Sequence, residues 1–431
     1  MQGGAIPQPV QLRPLGLQRV VAAVCGVITP ANLVADTCGR SSADKTRMIQ
    51  VSLILTALAT LLQLFPIFHR IGSGLPVIMG ISFAYIPTLQ AIGGEFGLPT
   101  ILGAEIVGGI VAIVFGVLVK WIRPLFPPLV TGTVIFTIGL SLYPTAVKYM
   151  AGGAGSEWFG SAQSWAVALI TLAVVVFLNH FTKGITKLAS ILIGILAGYV
   201  IAYFLGIVDL SGVGSAAWVA LPRPMPFDIQ FVPAACVSLG IVYVVNAVQT
   251  IGDLSSTTMG GMDRMPTDKE LSGGIVGQGV MSILGAFFGG LPAATYSQNV
   301  GIVTVNRVIN RAVFALAALI LLVAGLVPKF ASLLTTIPQC VIGGATISVF
   351  ATITMTGIRM ITEGGFTPRK SSVVGLSVAL GVGITQVSGC LAGEGFPAWV
   401  NTVFGSSSVV VAALMAILLN LILPKEPPAN G

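Results

Sequence analysis

Apolar runs long enough to cross ~30 Å of hydrocarbon recur along the whole chain. They fall roughly at 15–35, 46–66, 74–93, 99–119, 124–143, 163–181, 187–207, 233–257, 270–290, 292–306, 309–328, 336–358, 370–389 and 400–423. The pattern predicts an all-α polytopic membrane protein with about 14 transmembrane spans. The polar connection Asp209–Phe231, with Pro222, Pro224 and Pro226, separates about seven spans from about seven more. An odd number in each half makes the second half enter from the opposite side, the inverted-repeat plan of many secondary transporters. Residues 1–208 are therefore expected to form the first repeat, 209–231 the connection and 232–431 the second repeat.

The third span of each half, spans 3 and 10 of the whole, departs from the pattern. Residues 72–87 are interrupted by Gly80, Ser82 and Pro87. Residues 291–307 carry Thr295, Tyr296, Ser297, Gln298 and Asn299 in succession, with Gly289, Gly290 and Pro292 before them and Gly301 after. A continuous helix is disfavoured in both places. Irregular polar backbone at membrane depth is tolerated only where it lines a cavity or is buried in protein. Broken segments at matching places in two halves point to a transport site, where helix starts offer free N–H groups to an anionic or carbonyl-rich solute.

Composition agrees with a membrane setting. The chain is 55% hydrophobic and only 8% charged, with a mean hydropathy of +0.96, against about 25% charged residues in a soluble domain. The net charge of +7 comes from short loops instead of a basic patch, which argues against a nucleic-acid partner. With the N-terminus inside, only Arg40, Lys45, Arg47, Lys148, Arg223 and Lys329 of the 21 Lys and Arg residues fall outside. That asymmetry predicts a multi-pass protein of the cytoplasmic membrane (plasma or inner) with both termini cytoplasmic. Met1 to Arg13 does not read as a cleavable signal peptide. The scattered cysteines Cys25, Cys38, Cys236, Cys340 and Cys390, with His69 and His180, offer no metal-ligand spacing and read as small packing residues. No phosphate loop or nucleophile elbow is present, so no cofactor, ATP-driven transport or enzyme chemistry is signalled.

Two carboxylates stand within apolar surroundings. Asp253 follows Gln249 by four residues on the same helical face and is the candidate ion-coupling group. Glu105, near the start of its span and followed by Gly108 and Gly109, reads as an interfacial or packing residue. Gln298 and Asn299 offer amides suited to a ligand edge that alternates C=O and N–H. Asn246 and Gln278, on ordinary helices, read as interhelical hydrogen-bonding residues. Phe83 and Tyr296 can stack on a flat ring. Arg19 is expected to snorkel to the cytoplasmic surface, and residues 267–270 read as a helix N-terminal cap.

Gln298-Asn299-Val300-Gly301 followed by Asn306-Arg307 resembles the signature of the nucleobase–ascorbate transporter family (nucleobase:cation symporter-2). That signature is Gln, Glu or Pro, then Asn-x-Gly, a further stretch of variable residues, Thr, and Arg, Lys or Gly. Asn306 stands where the family usually has Thr. The stretches 80–84, 249–253 and 295–299 are similar to the family's substrate-contacting stretches, and Phe396–Trp399 and the end of the chain fit as well. The resemblance implies a core domain of spans 1–4 and 8–11, a gate domain of spans 5–7 and 12–14, and a homodimer. It also implies uptake of a nucleobase with a coupling cation, proton or sodium. Gln298 resembles the xanthine/urate branch. Phe83 would stack on the base, with Gln249, Tyr296, Ser297, Gln298 and Asn299 completing the substrate site. The family's usual carboxylate in the eighth span falls at Gln249 and another in the ninth at Gln278, neither of which ionises, while Arg19 replaces a common His. Asp253 is then the remaining coupling candidate. The expected activity is secondary active import of an oxidised purine, xanthine or urate, by alternating access. The rivals are uracil, ascorbate or an inorganic anion as substrate, an uncoupled facilitator, a channel, or an intramembrane enzyme.

Overall fold

The computed structural model describes residues 9–424, apart from 69, 154, 211–212, 215, 297–298, 301–302, 304–306, 388 and 406. The first half contains α1 (Pro9–Thr37), α2 (Ser42–Leu64), β1 (Met79–Ile81), α3 (Ile86–Phe96), α4 (Leu98–Val117), α5 (Pro128–Met150), α6 (Ala162–Phe181) and α7 (Ser190–Phe204). The second contains α8 (Pro233–Met262), α9 (Asp268–Phe288), β2 (Ala293–Thr295), α10 (Arg311–Gly325), α11 (Pro328–Thr335), α12 (Gln339–Thr362), α13 (Pro368–Gln386) and α14 (Ser408–Ile422). Among the described residues, seven helices (α2, α4, α5, α6, α8, α9 and α12) are long and apolar enough to cross a membrane. The α10–α11 pair passes the same test as one unit bent by 81°; Pro328 at the start of α11 cannot continue the preceding helix. The apolar helices α7 and α14 are shorter.

Local sequence sets the helix starts. Thr267 and Glu270 form a reciprocal capping box at α9, each satisfying the other's backbone N–H. Arg264 then grips the same carboxylate with two hydrogen bonds of 2.9 and 2.5 Å. At α2 the Ser41 hydroxyl accepts from the Asp44 N–H.

Two short buried stretches between helices are extended instead of helical. β1 pairs antiparallel with β2 in the register Met79↔Thr295, Gly80↔Ala294 and Ile81↔Ala293. All six residues are buried, so their backbone groups need partners inside the protein. The ladder supplies some of these. The Thr60 hydroxyl accepts from Met79 N at 3.0 Å, the Ser282 hydroxyl from Ala293 N at 3.1 Å, and the Ile78 carbonyl from Tyr296 N at 2.9 Å. After β1, Ser82 caps a single 3₁₀ turn, Phe83–Tyr85, that leads into α3.

The helices pack in two groups. In one, α1, α2 and α10 contact each other, and α4 lies against α8 and α9. In the other, α12 lies against α5 and α6, and α14 against α5 and α13. Each group holds a crossing where two glycines touch backbone to backbone. A Cβ on Gly109 would come within 2.8 Å of the Gly279 carbonyl, and one on Gly132 within 3.0 Å of the Gly357 carbonyl. Lipid provides no hydrophobic drive to join apolar helices, so such close approach of small residues is what lets dispersion forces hold them together.

Two expectations for single residues are corrected. Arg19 does not reach the surface: it is 2% exposed, and its guanidinium donates to the Asn299 carbonyl at 2.9 Å and lies 4.7 Å from the centre of the Phe314 ring. Carbonyls and a ring face near the break in the second half offer the cation enough partners to keep it inside. Of the interfacial and packing readings of Glu105, the interfacial one falls: the residue is fully buried, and α8, α9 and α3 pack against its helix α4.

Candidate functional site

A cavity of about 600 Å³ lies where the two helix groups meet. One wall is built from the broken stretches and α8: Ile81 to Ala84, Thr295, Tyr296, Val248, Gln249, Gly252, Asp253 and Ser256. The α8 residues recur every three or four positions, which puts them on one helical face. The facing wall comes from α5 (Thr131, Ile135, Ile138) and α12 (Val349, Thr352, Ile353, Thr356, Met360), and the cavity extends to Glu363 at the end of α12.

Phe83 and Tyr296 are the aromatic residues of this lining. The Phe83 ring meets Phe350 edge to face, with centroids 5.4 Å apart, which fixes its tilt. Tyr296 is held by the absence of side chains at Gly26 and Gly80: a Cβ on Gly26 would fall 1.1 Å from the tyrosine oxygen, and one on Gly80 2.9 Å from the ring. Gln249 and Asp253 both face the cavity, one turn of α8 apart. The Asp253 carboxylate accepts a 2.6 Å hydrogen bond from the Thr295 hydroxyl, so β2 holds it in place.

Asn299 is fully buried, and its side-chain amide finds no partner among the described residues. It does not belong to the cavity lining. Its carbonyl is the one that Arg19 grips, and its N–H donates to the Tyr296 carbonyl at 2.9 Å. Ser297 and Gln298 lie outside the described residues.

A buried polar chain runs behind the cavity wall. Gln278 on α9 donates to the Asn246 amide oxygen at 2.6 Å and to the Tyr85 hydroxyl at 3.1 Å, and it accepts from the Thr250 hydroxyl at 2.7 Å. Asn246 in turn donates to the Ser82 hydroxyl at 3.2 Å. Ser82, Thr295 and Asp253 are thus the cavity ends of a network tying α8 and α9 to both extended stretches. Sequence reasoning treated Asn246 and Gln278 as interhelical ties, and they are, but it did not connect them to the site. It also missed Thr295 as Asp253's donor and the α5–α12 wall. The signal for the wall was faint: threonines at 352 and 356, four residues apart on one face of a helix that carries several other hydroxyl residues.

At the opposite end of α12 the two helix groups are tied by polar contacts. Asp36, at the end of α1, accepts from the Tyr149 hydroxyl on α5 and from the Gln339 amide on α12 at 2.6 Å, and pairs with Lys45 on α2. Thr145 on α5 likewise donates to Gln90 on α3 at 3.3 Å. With 24 residues, α12 spans roughly 36 Å between these ties and the Glu363 end of the cavity. Among the described residues, no group of three or more His, Cys, Asp or Glu side chains is placed to hold a metal ion.

A family profile described as "Permease family" (Xan_ur_permease) matches residues 10–389. The xanthine permease of Bacillus subtilis is 34% identical over 95% of this chain and 92% of its own length. The uric acid permease PucK of the same organism is 35% identical over 98% and 97%. The transmembrane domain of a cyanobacterium bicarbonate transporter, BicA, shares the fold with a TM-score of 0.60 at 17% identity, over 96% of this chain and 98% of that one.

Proposed function

The chain belongs to the Xan_ur_permease family of permeases, and from that premise we propose that it imports an oxidised purine, xanthine or urate, in symport with a cation. The coupling cation in this reading is a proton, and the cycle is alternating access across the cytoplasmic membrane. The observation that carries the reading is the cavity between the two helix groups, where Phe83 and Tyr296 stand beside Gln249, Asp253, Ser82 and Thr295. Ring faces suit the π-face of a flat heterocycle, and an amide with two donors and an acceptor suits its C=O and N–H edge. The volume lies within the ~300–1,000 Å³ range of small-molecule sites. Gln298, by its place in the sequence two residues after Tyr296, is assigned to the same edge.

In this reading α1–α4 and α8–α11 form the core, α5–α7 and α12–α14 the gate, and about 14 spans are arranged as two inverted repeats of about seven. With both termini inside, the Glu363 end of the cavity faces the cytoplasm and the Asp36 ties close the outer end. Asp253 is the coupling residue: it faces the cavity, and Thr295 can stabilise its ionised form. The chain acts as a homodimer.

Uptake of radiolabelled xanthine, urate and uracil by cells lacking their own carriers tests the proposal. Saturable uptake of xanthine or urate that collapses with the proton gradient is the expected result. Absence of uptake of any base, beside saturable transport of an inorganic anion, would overturn it. Base uptake that only equilibrates would leave a facilitator.

A further inference from the structure

Of the acidic residues, Glu105 is the one with no assigned use and the deepest position. It is fully buried in the first turns of α4, and neither carboxyl oxygen has a hydrogen-bond partner among the described residues. No Lys, Arg or His among the described residues forms an ion pair with it. An intramembrane acid without a structural partner among the described residues calls for a functional account.

The surroundings supply one. Tyr243 of α8 and Tyr85 of the turn before α3 are the titratable groups within electrostatic reach of Glu105. On α9, Gly285 faces it, since an ideal Cβ there would lie 3.5 Å from a carboxyl oxygen and 2.9 Å from the Leu55 side chain of α2. Neither of these titrates. The Tyr243 ring is pressed against Gly108, one turn along α4 from Glu105, where a Cβ would fall 2.2 Å from a ring carbon. Its hydroxyl is buried, lies beside the Ser282 hydroxyl of α9, and makes no well-aligned hydrogen bond among the described residues. The Tyr85 and Tyr243 rings pack with centroids 4.8 Å apart, and the Tyr85 hydroxyl accepts from Gln278. Gln278 is the hub whose branches end at Ser82, Thr295 and Asp253 in the cavity wall.

We propose that Glu105 is a second proton-carrying carboxyl of the transport cycle, linked to the state of the cavity through Tyr85 and Gln278. On one side of the cycle the Glu105 O–H bond breaks and the proton passes to water. The carboxylate is then held by the hydroxyls of Tyr243 and Tyr85. On the other side it takes a proton back from water. The amides of the network transmit the change by reorienting their hydrogen bonds, since an amide does not itself carry the proton. Substrate bound against Ser82 and Thr295 thereby favours one protonation state of Glu105. This rests on the reading of the chain as a proton-coupled base carrier.

The test compares wild type, Glu105→Gln and Glu105→Asp reconstituted in proteoliposomes. Xanthine counterflow reads exchange, accumulation under an imposed pH gradient reads coupling, and a trapped pH dye reads proton entry. The expected result is that Glu105→Gln retains counterflow but loses at least about tenfold in gradient-driven accumulation and in xanthine-linked proton entry, as for loss of an acid–base group. Glu105→Asp should recover part of both. Accumulation and proton entry by Glu105→Gln equal to wild type overturn the assignment. So does equal loss of counterflow and accumulation in both variants, which marks a packing role. A wild type that exchanges no base, or ignores the gradient, overturns instead the carrier reading on which the assignment stands.

Discussion

At the residue scale, the cavity depends on what is missing as much as on what is present. Tyr296 can lie where it does because Gly26 leaves room for its hydroxyl. Gly26→Ala places a methyl within the tyrosine oxygen's own volume, so the ring must move into or away from the cavity. We expect the Michaelis constant for xanthine uptake to rise at least about tenfold, with the amount of folded protein in the membrane little changed; dose–response uptake beside immunoblotting checks this. Asp253 is the other local test. Asp253→Asn keeps the shape and an acceptor for Thr295 but cannot ionise. Uptake down a gradient should survive while accumulation against one disappears, and full concentrative uptake by this variant would remove Asp253 from coupling. Much of this was legible in the sequence. Phe83, Tyr296, Gln249 and Asp253 stand out as polar or aromatic residues in or beside broken apolar runs, and all four line the cavity. Arg19 was misjudged because snorkelling is the default for a long cation near a span end, and a single sequence does not reveal that a carbonyl from residue 299 will come within 2.9 Å of it.

At the element scale, local rules set the boundaries and tertiary contacts set the exceptions. The Thr267–Glu270 capping box was visible in the sequence and forms at α9. Thr267→Ala should cost about 1 kcal/mol of stability, seen as a modest drop in melting temperature of the detergent-purified protein with uptake unaffected. The extended pieces β1 and β2 are of the other kind. Gly and Pro argue against helix there, but the choice of strand comes from each being the other's hydrogen-bond partner across more than 200 residues of chain, Met79 with Thr295. No local window contains that information. The ties at Asp36 act between elements as well. Asp36→Asn weakens the contact with Lys45 and with the Tyr149 hydroxyl. In the alternating-access reading this loosens the closed outer end, and a cysteine placed at Thr145 should react severalfold faster with an impermeant maleimide added outside. An unchanged rate would count against a latch there.

At the scale of the whole molecule, the arrangement is two packed helix groups with a polar-edged cavity on their boundary. The α5–α12 wall of that cavity is apolar apart from its threonines, which in the alternating-access reading suits a surface that slides past a bound ring without holding it. Single cysteines at Thr356 or Met360, on the Glu363 side, should be protected from labelling in inside-out vesicles by xanthine, and the same positions should resist reagents added from outside.

The sequence by itself determined the membrane setting, the apolar helices and the two places where the helical pattern fails. These follow from composition and short-range periodicity, which a linear chain displays in full. The tertiary structure alone decided which partners those failures meet. It paired β1 with β2, brought Thr295 to Asp253, buried Arg19 against a distant carbonyl and left Glu105 among tyrosines from two other elements. Each of these joins residues far apart in the chain, and in a membrane a polar group's meaning depends on which partner reaches it, since the lipid offers none.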